Sequence, residues 1–121
     1  MLIKDIKKST YFKAIDETTL CELIHPENDN VKMDCSIAHA ILGPDQSSLP
    51  HKLINSIEIY YILEGMGKIY INKEPNVLKT GQSVYIPSNA CQRIKNIGKD
   101  DLKFLCIVSP PWRGEDESIC K

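Results

Sequence analysis

Residues 50–67 read PHKLINSIEIYYILEGMG. The run IEIYYIL is dense in β-branched and aromatic residues and is bounded by INS and EGMG, the punctuation of a β-strand. Side chains alternate across a strand, so Glu58, Tyr60 and Ile62 share one face while Ile59, Tyr61 and Leu63 share the other. Both faces are apolar apart from Glu58, which describes a strand covered on both sides. A carboxylate in that setting is costly unless it is paired or bound to a cation. Glu58 therefore requires a partner. Just upstream, His51 and Leu53 share a face by the same alternation.

Short β-branched and aromatic runs recur along the rest of the chain. Strands are expected near Thr18–Ile24, Cys35–Leu42, Leu49–Leu53, Ile57–Leu63, Lys68–Ile71, Val77–Lys79, Ser83–Ile86, Cys91–Lys95 and Leu102–Val108. Between them lie GPDQ, INS, EGMG, NKEPN, KTG, PSNA and NIGKDD, and SPPW follows the last. Only the first dozen or so residues read as weakly helical. Most connections are too short for a crossover helix, so an antiparallel all-β domain, a sandwich or barrel, follows.

With 121 residues the length fits one domain with its own core. The net charge is −1, with both signs interspersed, which gives no electrostatic reason to expect nucleic acid or an anionic membrane. Lys4, Lys7, Lys8 and Lys13 read as a solvated face. No apolar run reaches the roughly 18 to 20 residues that span a bilayer, and MLIKDIKKSTYF lacks the pattern of a signal peptide. The 5 cysteines are scattered without a C-x-x-C pair and read as buried thiols in a reducing, cytoplasmic setting, with Cys120 exposed near the end.

Further polar residues interrupt apolar runs. Gln92 shares a parity with Ile94 and Asn96, while Arg93 points away. His39 shares a parity with Cys35, Ile37 and Ile41, where it reads as a hydrogen-bonded core residue or a pocket wall. His25, before Pro26, reads as a surface or interface histidine. Beyond Val108, Pro110 and Pro111 stop the sheet, Trp112 is expected to pack over the barrel or across a dimer, and the acidic run after it to fray.

These residues resemble the cupin superfamily, small double-stranded β-helix (jelly-roll) barrels. Its first motif, a glycine, H-x-H, a glutamate and a glycine, has counterparts in Gly43, His51, Leu53, Glu58 and Gly65, with Leu53 in place of the second histidine. Its second motif has counterparts in Gly81, Pro87, Asn89 and Asn96, with Gln92 in place of the histidine. The resemblance covers about residues 34–108, leaving an N-terminal arm at 1–33 and a tail at 109–121. It implies a jelly-roll barrel with a short N-terminal element and a homodimer. It also implies a divalent metal (Mn²⁺, Fe²⁺, Ni²⁺ or Zn²⁺) held by His51, Glu58 and Gln92. The same three side chains could instead satisfy one another by hydrogen bonds, without a metal.

Three functions stand open on this reading. One is a metal-dependent cupin acting on a polar, oxygen-bearing small molecule in a pocket formed with His39, Leu53 and Tyr60, where Tyr60 donates a proton or anchors substrate. Isomerase, decarboxylase, dioxygenase and cyclase chemistry all fit it. Another is a non-catalytic sensor or binding module. The third is metal-free, epimerase-like acid–base chemistry with His51 as base and Tyr60 as acid.

Overall fold

The alternation of apolar residues along the longer strands decides how the chain layers. In a computed structural model describing residues 1–121, the strands are β1 (Phe12–Lys13), β2 (Thr19–Ile24), β3 (Ser36–Leu42), β4 (His51–Leu53), β5 (Ile57–Glu64), β6 (Met66–Ile71), β7 (Glu74–Lys79), β8 (Ser83–Ile86), β9 (Gln92–Asn96), β10 (Leu102–Ser109) and β11 (Glu117–Ile119). They form two antiparallel sheets, one in the order β1-β2-β3-β10-β5-β8 and the other β11-β4-β9-β6-β7. This is the expected all-β jelly roll.

The core lies between the sheets. Ala38, Ala40 and Leu42 of β3 meet Tyr60 and Ile62 of β5, Phe104 and Cys106 of β10, and, from the smaller sheet, Ile69 and Ile94. Burying such side chains contributes about 1.5–3 kcal/mol each for the larger ones and is the main force closing the barrel. Asn96, fully buried, donates Nδ2 to the carbonyls of Leu42 at 2.9 Å and Asp100 at 2.8 Å, tying the turn after β9 to the end of β3. Gly65 has φ +89°, and a Cβ there would stand 2.8 Å from the Asp101 carbonyl oxygen. Only glycine lets β5 turn into β6 so close to the start of β10.

All nine expected strands are present, with ends shifted by up to three residues. The largest shift is in β7, which begins at Glu74 and includes Pro75. It is an edge strand, where a missing N–H is tolerated. The N-terminal helix reduces to a single 3₁₀ turn at Ile6–Lys8. The next residues instead form the β1–β2 hairpin. No helix is long and apolar enough to cross a membrane.

The C-terminal tail departs most from expectation. Instead of fraying, it forms β11, which pairs with β4. Asp116 anchors it: 2% exposed, it accepts hydrogen bonds from the Asn55 backbone N–H at 2.9 Å, Asn55 Nδ2 at 2.9 Å and the Ser56 N–H at 3.1 Å. Cys120, expected as an exposed thiol, forms a disulfide with Cys91, because β11 lies beside β4 and β4 beside β9. Cys21, Cys35 and Cys106 remain free thiols. His25 is buried rather than superficial. Its Nδ1 accepts from the Glu27 N–H at 3.2 Å, and its Nε2 donates to the Trp112 carbonyl at 2.8 Å, fastening the tail to the end of β2.

Burial would raise the Asp116 carboxyl, but the hydrogen bonds from Asn55 and Ser56 outweigh it and hold the group below its ordinary value. Its stabilising contribution is therefore present above the unfolded-state value and lost as the pH falls through the folded-state one. Asp116→Ala should lower stability by about 2 kcal/mol at neutral pH, read by denaturant unfolding, with the difference shrinking in acid. An unchanged midpoint would show that the tail does not depend on this carboxylate.

Candidate functional site

The inner face of β5 carries Glu58 and Tyr60, and opposite them, on neighbouring strands β4 and β9, His51 pairs directly with Gln92. The cores of both motifs therefore meet inside one end of the barrel. Tyr60 donates its hydroxyl to Gln92 Oε1 at 2.6 Å, and Gln92 Nε2 donates to Glu58 Oε1 at 2.9 Å. Glu58 has the partner that its place in the sequence demands. Burial dominates its titration and raises it to about 8, against the lowering by the Gln92 hydrogen bond. Burial likewise pushes the Tyr60 phenol well above its ordinary range, with the Glu58 charge adding to the effect.

His51 is oriented from two sides. Its Nδ1 donates to the Leu49 carbonyl at 2.8 Å, which turns Nε2 toward Asp16 Oδ2 at 3.3 Å. Asp16 lies in the turn of the β1–β2 hairpin, and this turn folds over the barrel end. Its carboxylate also accepts from the Thr18 N–H and hydroxyl, both at 3.1 Å, and its carbonyl accepts from the Leu49 N–H at 2.7 Å. Asp16 and His51 are thus held by the same two short segments.

A cavity of about 240 Å³ opens above these groups. His51, Glu58 and Tyr60 form its floor, and Leu20, Ala38, Phe104 and Val108 its apolar walls. The N-terminal hairpin contributes Asp16 and Phe12, β2 contributes Glu22, and the tail contributes Trp112 and Glu117. Burial raises the carboxyls of Glu22 and Glu117, although His25 and the Trp112 hydrogen bond respectively oppose it. Cys106 also lines the cavity, and burial holds its thiol well above the ordinary range, which leaves it a poor nucleophile.

Three expected site residues lie elsewhere than in the cavity wall. His39 is on the outer face of β3, because its neighbours Ala38 and Ala40 take the inner one, and its Nδ1 bonds the Tyr11 hydroxyl at 2.8 Å. Leu53 is buried opposite Glu117 on β11. Gln92 stands behind Glu58 and Tyr60 and acts through them. Sequence reading missed Asp16, Glu22, Glu117 and Trp112 as site residues. Glu22 carried a usable signal, since it shares the parity of Leu20 inside a strand, the argument already applied to Glu58. The others come from a turn and a tail that have no strand pattern to read.

The expected ligand set of His51, Glu58 and Gln92 does not fit a divalent metal as the side chains are arranged. The amide oxygen that coordination would need accepts from Tyr60, and the amide group facing Glu58 is a donor. No three His, Cys, Asp or Glu side chains converge anywhere in the molecule to supply a substitute set.

Residues 38–108 match the model of the cupin domain family. An uncharacterized protein of Methanocaldococcus jannaschii is 40% identical over 124 residues, covering 98% of both chains. The oxalate-binding protein of Thermotoga maritima is 36% identical over 67 residues, 55% of each chain. Among solved structures, a Thermotoga maritima protein described as a predicted oxalate decarboxylase superposes with a TM-score of 0.79 at 25% identity, over 90% of this chain and 99% of that one. The family model takes in β3 to β10, the strands that carry both motifs, and the chain belongs to the cupin family.

Proposed function

We propose that the cavity binds a small polar organic molecule and moves a proton on it without a resident metal, with His51 as proton acceptor and Glu58 as proton donor. The observation that carries this reading is that Glu58, a carboxyl that burial raises to about 8, shares one cavity floor with His51. Glu58, raised to about 8, holds its proton at neutral pH. Gln92 occupies its Oε1, which leaves Oε2 to carry that proton. His51, with Nδ1–H fixed on a backbone carbonyl, offers Nε2 as the basic atom, and Asp16 stabilises the imidazolium once it forms. A carboxyl that keeps its proton near pH 7 and a histidine on the same floor form a pair that acid–base catalysis can use. Tyr60 spends its hydroxyl hydrogen on Gln92 and serves as a positioning residue.

The oxalate named for two of the similar proteins suits this floor poorly. A dianion would enter beside Glu22 and Glu117 with no arginine to receive it. The reading is tested by incubating chelator-treated protein in D₂O with small hydroxy ketones, amino ketones and amino acids. Solvent deuterium entering the substrate is read by NMR. Exchange should survive chelation and fall by about 10² to 10⁴-fold in His51→Asn and Glu58→Gln. Exchange abolished by chelation and restored by Mn²⁺, Fe²⁺, Ni²⁺ or Zn²⁺ would overturn it in favour of a metal-dependent cupin.

Glu58 also sets a stability profile. Its folded-state value of about 8 lies above its ordinary 4.5, so its contribution is full below about 4.5 and is lost as the pH rises toward about 8. Wild-type stability should fall across that window by up to about 1.4 kcal/mol per pH unit relative to Glu58→Gln. Parallel melting temperatures for the two proteins from pH 4.5 to 8 would show that Glu58 is not buried as described.

The outer face of the larger sheet supports a second inference, that the chain pairs with another copy of itself. Ile37, Ile59, Leu105 and Ile107 lie there with Tyr61, 39% exposed, and Tyr85, 59% exposed. A self-complementary apolar face of this kind suits a two-fold dimer. Light scattering should give twice the chain mass, and Ile59→Lys with Tyr61→Lys should halve it. A monomeric wild-type protein at high concentration would refute the pairing.

A further inference from the structure

The cavity's charge and its aromatic lining select among ligands. Four acids reach it from four separate places: Asp16 from the hairpin turn, Glu22 from β2, Glu58 from β5 and Glu117 from β11. The basic side chains of the lining are His51, whose Nε2 faces Asp16, and Lys13, which is exposed. No arginine lines the cavity.

The acids are also under-satisfied. In the whole molecule, the buried side-chain oxygens and nitrogens without a hydrogen-bond partner are Glu22 Oε2, which faces His25 Nε2 at 4.0 Å, beyond hydrogen-bond distance, and Glu117 Oε2. Both belong to residues of this cavity. Glu58, only 7% exposed, makes a single hydrogen bond, to Gln92. Native proteins satisfy buried acceptors almost without exception, so unfilled ones gathered at one cavity point to a donor that arrives with the ligand.

Aromatic rings supply the second half of the argument. Phe12, Tyr60, Phe104 and Trp112 all line the same space, with Tyr60 and Phe104 packed at 4.8 Å between ring centroids. Ring faces carry partial negative charge and attract cations, most strongly where water is excluded. The remaining walls are hydrocarbon, from Leu20, Ala38 and Val108. Carboxylates that do not converge on one point, set among aromatic and aliphatic walls, suit a cation with an organic body.

We propose that the cavity's ligand is a small organic ammonium ion, held by the carboxylates of Glu22 and Glu117 and by the aromatic rings of the wall. This rests on the cavity being the ligand site, as proposed above, and assigns the class of molecule that enters it. The ammonium hydrogens meet the unfilled carboxylate oxygens, and the hydrocarbon part lies on the rings.

Trp112 is the only tryptophan and lies in the cavity wall, so its emission reports directly on occupancy. The full chain at pH 7 is titrated with three probes of one shape and different charge: benzylammonium, benzyl alcohol and benzoate. Benzylammonium should bind at least about tenfold more tightly than benzyl alcohol, and benzoate should give no saturable change. Glu22→Gln with Glu117→Gln should reduce the ammonium preference to about twofold while keeping benzyl alcohol binding, which shows that the cavity is intact. Benzoate binding as well as benzylammonium, or an undiminished preference in the double variant, overturns this inference and leaves the cavity a ligand site. No saturable change with any probe, in Trp112 emission and in the amide NMR shifts of cavity residues, overturns both.

Discussion

Glu58 faces the interior of the barrel on a strand whose other inward residues are Tyr60 and Ile62, and the surrounding structure is arranged to make that carboxyl tolerable. An unpaired carboxylate there would be expelled or neutralised. Gln92 reaches across from the opposite sheet and donates to Glu58, and Tyr60 donates to Gln92 in turn. This chain of two hydrogen bonds crosses the gap between the sheets, so the same contacts that satisfy the acid also hold the sheets in register at the open end of the barrel. Removing Gln92 would leave both Tyr60 and Glu58 without their partner, and each such orphan costs about 1–3 kcal/mol.

The two ends of the chain finish what the barrel begins. β3 to β10 provide the floor and most of the apolar lining, but Asp16 and Glu22 come from before β3, and Trp112 and Glu117 from after β10. These outer segments are tied to each other as well as to the barrel. His25, at the end of β2, donates to the Trp112 carbonyl, and the Trp112 N–H donates to Ser36 Oγ at the start of β3. The Cys91–Cys120 disulfide and the Asp116 anchor close the tail on the other side. A barrel common to many chemistries acquires its individual cavity from segments outside the shared motif.

This division explains which features were legible in the sequence. Strand parity put Glu58 with Tyr60 and Gln92 with Ile94 and Asn96, because a period of two is a local property that a short run displays in full. Gly65 and Asn96 were legible as motif positions, and their reasons, a carbonyl close to the missing Cβ and a pair of buried carbonyls to satisfy, appear only once strands are packed. His39 shows the limit of the method. Parity groups residues by face but does not say which face is inner, and the small Ala38 and Ala40 take the core where Ile37 and Ile41 appeared the better candidates. The tail was read as frayed because GEDESICK is polar, yet its order comes from a buried aspartate, a disulfide and a partner strand more than sixty residues away. Such long-range contacts leave no periodic trace.

The carboxylates around the cavity also bear on how ligand and proton compete. Burial raises Glu58, Glu22 and Glu117 together, so protons compete with a ligand for these oxygens more strongly than at ordinary carboxyls. A cationic ligand can take those oxygens only by displacing protons from them, and its apparent affinity must then rise with pH as the protons leave. An anionic ligand would raise the carboxyls further and bind better in acid, and a neutral one would be nearly indifferent. The opposite slopes follow from linkage alone, whatever the detailed contacts. The burial that makes these acids unusual thus lets the charge of the cavity's natural occupant be read from the pH dependence of its binding, before its structure is known.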